Sequence, residues 1–227
     1  MPIHPASPGF PENHKINGEQ LPGGFLPSNA TKLIMGSFPP PSIFGNQMAL
    51  DSFFYYYSPK NHFWNRIESF VPYPPGFRWK WVAGANENSL KNTQRKRALC
   101  AEMGWAFMDI VYSAEFLNPV NFDDNNLIDR VFVTDNGFLL NSLEHIISIT
   151  QILCTYQGVK TWLINELERL GCEIDHNPNH MSADGHEYSF TYNNRLIQII
   201  LLYPATRSRH PGPLKNAQYQ HFLDLSP

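Results

Sequence analysis

The sequence predicts an α/β domain of three layers, with a central, mainly parallel sheet covered by helices on both faces. Three observations carry this. Apolar runs at 32–36, 105–112, 149–156 and 195–203 lack the polar alternation of half-exposed strands, as expected of strands buried on both faces. Amphipathic stretches separate them, giving the order β, α, α, β, α, β, α, β-hairpin, α. The chain has 227 residues and 42% apolar content, enough for one sizeable core.

Residues 1–30 hold six prolines and little periodicity, and read as an extended arm ahead of a single domain over 31–227. The first strand is Lys32 to Gly36; Ser37, Phe38 and the prolines that follow stop it and hold the chain stiff. A helix is expected over Asn61 to Val71, where residues 63, 64, 67, 70 and 71 form one apolar stripe. Between them lies an aromatic run, Phe53 to Tyr57. The tract Phe77 to Gly84 alternates aromatic and basic residues, as an edge strand or a base-stacking surface does. Ser89 is placed to cap a helix that runs to Met103 and stops at Gly104.

Trp105 to Tyr112 reads as the second buried strand, with Asp109 its one charge, and 118–129 as an Asn/Asp-rich loop. A helix over 137–148 follows, then a third strand over 149–156. Gln157 and Gly158 turn that strand into a helix closed by Gly171. Residues 187–192 and 195–203 flank Asn193 and Asn194, a hairpin turn signal. The second arm ends at Pro204 and releases a polar loop, and a last helix spans 214–223.

Composition limits the function classes. No apolar run is long enough to span a bilayer and no signal-peptide pattern opens the chain, so a cytoplasmic, membrane-free monomer is expected. Three cysteines, an odd number, point to buried thiols in a reducing compartment. The loop near 123–126 lacks the ligand spacing and central glycine of an EF-hand. Cys172, His176 and His180 are four residues apart, but Pro178 denies them a common helix face, so no metal is expected. The net charge of −3 does not mark a non-specific DNA binder. Basic residues nevertheless cluster over 78–97 and 207–215, most simply as solvated faces.

In open α/β sheets ligands bind at the carboxyl ends of the strands. Here those ends are expected at Gly36-Ser37-Phe38-Pro39, Tyr112-Ser113, Tyr156-Gln157 and Tyr203-Pro204. Taken together they resemble the uracil-DNA glycosylase superfamily, in which a G-x-[N/D]-P-type motif follows the first strand and an H-P-S-P- or N-P-S-G-like motif ends a late one. Gly36 to Pro40 stands in the first position and Tyr203 to Ser208 in the last. Between them, Tyr55-Tyr56-Tyr57-Ser58-Pro59-Lys60-Asn61-His62-Phe63-Trp64 resembles the Y-Y-x-H-P-x-N-x-F-W tract of the hypoxanthine (deoxyinosine) and mismatch-specific uracil DNA glycosylases. Trp105 to Asp109 and Gln157-Gly158 are similar to further motifs of that branch, and the resemblance spans roughly residues 32–215.

The resemblance implies a glycosylase-like α/β fold and a monofunctional DNA N-glycosylase of base-excision repair. Its partner would be duplex DNA holding a damaged or mismatched base, and it would need no cofactor. By position, Asn61 would orient water, Tyr56 would stack on the flipped base, and the backbone at Gly36, Ser37 and Phe38 would meet its carbonyl. Gln157 would read its edge, Tyr203 would face the leaving base, and Thr206, Arg207, Ser208 and Arg209 would contact DNA. Three positions depart from the family pattern. Phe38 replaces the water-activating Asn or Asp, Ser58 replaces a His, and Tyr203 stands where His or Asn assists the leaving group. These departures suit an alternative, a glycosylase-like nucleic-acid- or ligand-binding protein without catalysis.

Overall fold

The computed structural model describes residues 24–38, 63–72, 87–118, 124–135, 137–205 and 212–225. Its centre is a seven-stranded sheet built from β1 (Gly24–Phe25), β2 (Lys32–Gly36), β3 (Trp105–Asp109), β6 (Gln151–Cys154), β7 (Asp175–Pro178), β8 (His186–Tyr192) and β9 (Arg195–Leu201). Across the sheet the order is β1-β3-β2-β6-β9-β8-β7. The middle four, β3, β2, β6 and β9, are parallel; β1 and β8 run against their neighbours, and β7 against β8. A separate hairpin pairs β4 (Val111–Phe116) with β5 (Leu127–Phe132).

Every residue of β2 and β3 is buried, as their unbroken apolar character requires. Alternation along each strand divides the core in two. On one face Leu33, Met35, Ala106, Met108, Ile152, Cys154, Ile199 and Leu201 pack with α3 (Phe138–His145), α4 (Gln157–Arg169) and the β4–β5 hairpin. On the other, Ile34, Trp105, Phe107, Leu153 and Ile200 pack with α1 (Phe63–Ile67), α2 (Glu87–Met103) and α5 (Gly212–Leu223). These are the three layers read from the sequence.

A helix as short as α1 does not hold itself together in water. Its stability comes from Phe63, Trp64 and Ile67, all buried and each worth about 1.5–3 kcal/mol. Phe63 meets Phe107 edge-on at 5.6 Å, while Trp64 lies nearly parallel to the same ring at 6.2 Å.

Two turn signals act as expected. Asn193 and Asn194 have φ of 48° and 60°, the left-handed pair a two-residue hairpin needs. Gly104 ends α2 with φ of +67°, and its carbonyl accepts from the Thr31 and Lys32 amides. A Cβ on Gly104 would lie 3.3 Å from Asn29 O and Thr31 Oγ1. Gly104→Ala is therefore expected to cost roughly 1–2 kcal/mol, read as a lower urea midpoint at unchanged slope.

Three expectations need correction. The run 105–112 is not one strand: β3 ends at Asp109, the chain bends at Ile110, and Val111 begins β4 in the other sheet. The loop expected over 118–129 gives way at Leu127 to β5. The polar segment at 175–178, for its part, is an exposed edge strand, β7, held by its ladder to β8 and by His176 stacked on Tyr188 at 4.6 Å. Ser89 lies inside α2, which starts at Glu87. Among the described residues no helix is long and apolar enough to cross a membrane, and no group of three or more His, Cys, Asp or Glu is placed to hold a metal ion.

Candidate functional site

The chain leaves β2 toward β3 on one side of the sheet and leaves β6 toward β9 on the other, so the topology reverses between β2 and β6. Such a switch point opens a crevice at the carboxyl ends of the strands. The registers bring those ends level: Met35 is opposite Cys154, which is opposite Leu201, while Gly36 is opposite Asp109. Backbone bonds continue the row past the strands. Ile110 N–H donates to Gly36 O at 2.9 Å, Thr155 N–H to Met35 O at 3.0 Å, and Leu202 N–H to Cys154 O at 2.9 Å.

Beyond this row the buried strands give way to half-buried Ser37, Thr155, Tyr156 and Tyr203. Thr155 Oγ1 also donates to Met35 O at 3.0 Å, which ties the ends of β6 and β2 together across the reversal. Among the described residues nothing accepts from the Ser37 N–H or hydroxyl, and Ser37 O is held by the Val111 amide at 3.1 Å. Gln157 is the first residue of α4, just past the end of β6, and is exposed. The Tyr156 ring lies over Gly158, where a Cβ would come within 2.4 Å of its hydroxyl, and meets Trp162 edge-on at 6.4 Å.

Of the residues singled out from the sequence, Gly36, Ser37, Gln157 and Tyr203 thus gather at the ends of three adjacent strands. Phe38 follows them in the chain, but its ring is 5% exposed and packs in the core 5.9 Å from Phe116. What Phe38 can offer a ligand is backbone. Tyr56, Asn61, Thr206, Arg207, Ser208 and Arg209 lie outside the described residues.

Tyr203 stands two residues past β9, with both backbone groups committed to α5. Its N–H donates to Gln218 Oε1 at 2.5 Å, and its carbonyl accepts from the Tyr219 hydroxyl at 3.2 Å. Burial pushes the Tyr219 phenol up, which keeps it a donor.

The basic group over 91–97 is partly spent inside the molecule. Lys96 is buried with its ammonium 5.0 Å over the Trp64 ring, and burial pushes it down to about 8. It is a core residue, not a phosphate contact, whereas Arg95 is exposed. Cys100 and Cys154 are buried thiols; burial pushes Cys154 up to about 12 and Cys100 well above its ordinary value, so neither is a reactive thiolate.

No protein-family model matches this chain, and no curated protein does. Four chains among the solved structures match. One is the solution NMR structure of a candidate uracil DNA glycosylase from Methanosarcina acetivorans, with 14% identity over 88% of this chain and 95% of that one, at a TM-score of 0.48. The residues at the strand ends, not this likeness, carry the functional reading.

Sequence reasoning missed one of those residues, Thr155, which fell inside a run read only as apolar. Asp109 was marked as the one charge of its strand, but the end of β3 was set at Tyr112 when it is Asp109. Asp109 is 4% exposed and pairs in register with Gly36. A lone charge closing an apolar strand was the available signal.

Proposed function

We propose that the protein is a DNA glycosylase that flips a deaminated base, hypoxanthine or uracil, out of the duplex and hydrolyses its bond to the sugar. One observation supports this reading: β2, β6 and β9 are neighbours with their ends in register, so the three segments that resemble glycosylase motifs, at Gly36–Ser37, Gln157 and Tyr203, follow adjacent strand ends. A duplex shields the bond to be broken, so the base leaves the stack at a cost of a few kcal/mol, least at a mismatch. In this reading Tyr56 stacks on the extruded base, the Ser37 amide donates to its carbonyl, and Gln157 reads its edge. Tyr203 donates toward the leaving base while Arg207 and Arg209 hold the emptied duplex and its phosphates. Asn61 orients water on the sugar carbon, and fixed dipoles stabilise the charge passing to the base.

The experiment uses duplexes with a single inosine, uracil or thymine mismatch, treated with alkali after incubation to cut at abasic sites. Cleavage at inosine or uracil is expected. A second reading, DNA binding without catalysis, is favoured by the buried Phe38 ring, which leaves no polar side chain at the position where most relatives hold water. Salt-dependent binding with no strand cut at any lesion, while a reference glycosylase cuts in parallel, would replace the first reading with the second.

A further inference from the structure

Gln157 and Tyr203 come from different strand ends, yet a continuous buried polar chain joins the structures that carry them. It begins on α4, one turn after Gln157, at Lys160. The Lys160 ammonium is 1% exposed and donates to Asp184 Oδ2 at 2.9 Å and Oδ1 at 3.1 Å. Ser182 Oγ donates to Asp184 Oδ1 at 2.8 Å and accepts from the Leu201 amide at 3.1 Å. Leu201 O accepts from Gln218 Nε2 at 3.0 Å, and the same nitrogen donates to Met181 O at 2.5 Å. The chain ends where Gln218 Oε1 accepts from the Tyr203 amide.

Burying an amide, a hydroxyl and an ammonium is unfavourable unless each is satisfied, and here each is. Apolar side chains at 182 and 218 would leave the Leu201 and Tyr203 amides and the Leu201 and Met181 carbonyls without these partners. Nor would they fix the direction in which the chain leaves β9. Tyr203 is two residues past β9; its N–H donates to Gln218 and its C=O accepts from Tyr219, consecutive residues of α5.

We propose that Gln218 is a positioning residue, which acts through the Tyr203 backbone to hold the Tyr203 side chain at a fixed distance from Gln157 across the base-binding crevice. The inference rests on the glycosylase reading. A misplacement of about 1 Å at a reacting centre costs as much as 100-fold in rate, so the effect belongs on the chemical step and not on DNA affinity.

The test is a double-mutant cycle on the full chain, read as single-turnover base release and, separately, as binding to the lesion duplex. Gln218→Met removes the acceptor and both donations at similar volume; Gln218→Asn keeps a carboxamide on a shorter stem, and a urea titration of each variant establishes that it folds. Gln218→Met is expected to slow base release about 10- to 100-fold with affinity within about threefold of the parent, and Gln218→Asn to recover part of the rate. In a Tyr203→Ala background Gln218→Met should change the rate no further, because its effect passes through Tyr203. Equal rates in Gln218→Met and the parent, or effects that multiply in the double variant, would overturn the proposal and leave the glycosylase reading standing. A parent protein that releases no base overturns both.

Discussion

Replacing Asp184 by alanine is expected to destabilise the fold by about 3–5 kcal/mol, the usual result of leaving one partner of a buried ion pair alone. The partner is Lys160, with a side chain 1% exposed against 22% for Asp184. Without the carboxylate, the ammonium keeps a bond to His186 O at 2.9 Å and a place 4.4 Å over the Tyr188 ring, which sets the loss toward the lower end. For a domain of this size that is roughly a 10 °C fall in Tm. Lys160→Met should do less harm, because the partly exposed carboxylate left behind keeps the Ser182 hydroxyl and the His186 amide, and a thioether fills the space.

The pair also has a pH signature. Burial raises the Asp184 carboxyl, but the bonds from Lys160 and Ser182 outweigh it and hold the group below its ordinary value of 3.8. A carboxyl lowered in the folded state adds stability above its unfolded value, and that contribution disappears as the pH falls through the lower, folded one. The gap between parent and Asp184→Ala should therefore be full at pH 7 and shrink only below about pH 4. A gap that stayed constant from pH 7 to pH 3 in urea titrations would remove the ion pair as its cause.

This pair shows what the sequence could and could not convey. Lys160 sits in an amphipathic helix where a lysine is ordinarily solvated, and Asp184 in a polar loop, 24 residues away. Nothing local marks them as partners, since the pairing exists only once β7 and β8 fold that loop against α4. Likewise Gln218 is 0% exposed in a helix whose sequence shows no clean apolar face. By contrast β2, with all five residues buried, was legible to its last residue because burial on both faces writes itself as an unbroken run ended by Gly36 and the prolines. The same rule failed at Ile110. There the chain passes from one buried strand into another with no glycine or proline between them, so 105–112 read as one strand and β5 was lost in the loop. The ends of β2 and β6 were legible in their chain positions, but that Ser37, Gln157 and Tyr203 follow adjacent strand ends depends on the strand order, which no single stretch encodes.

Asn61→Ala is expected to slow base release by about 10²–10³-fold, the loss typical of removing one fixed dipole from a developing charge. Phe38 makes that dependence sharp: with its ring buried in the core, it offers no polar side chain to hold water. The reading of Asn61 as a helix cap predicts a loss on substitution too. The two roles part company under Asn61→Ser. A serine caps a helix about as well as asparagine, so stability should stay within a few tenths of a kcal/mol of the parent, whereas alanine should lose about 1 kcal/mol. A hydroxyl on a shorter stem does not reproduce a carboxamide that donates to one atom and accepts from another, so the serine variant should be nearly as slow as the alanine one. Single-turnover base release and a thermal melt on both variants separate the roles. A serine variant with the parent's rate would reduce Asn61 to a cap and move catalysis to another residue, with Asp109, buried beside Gly36, the next to replace.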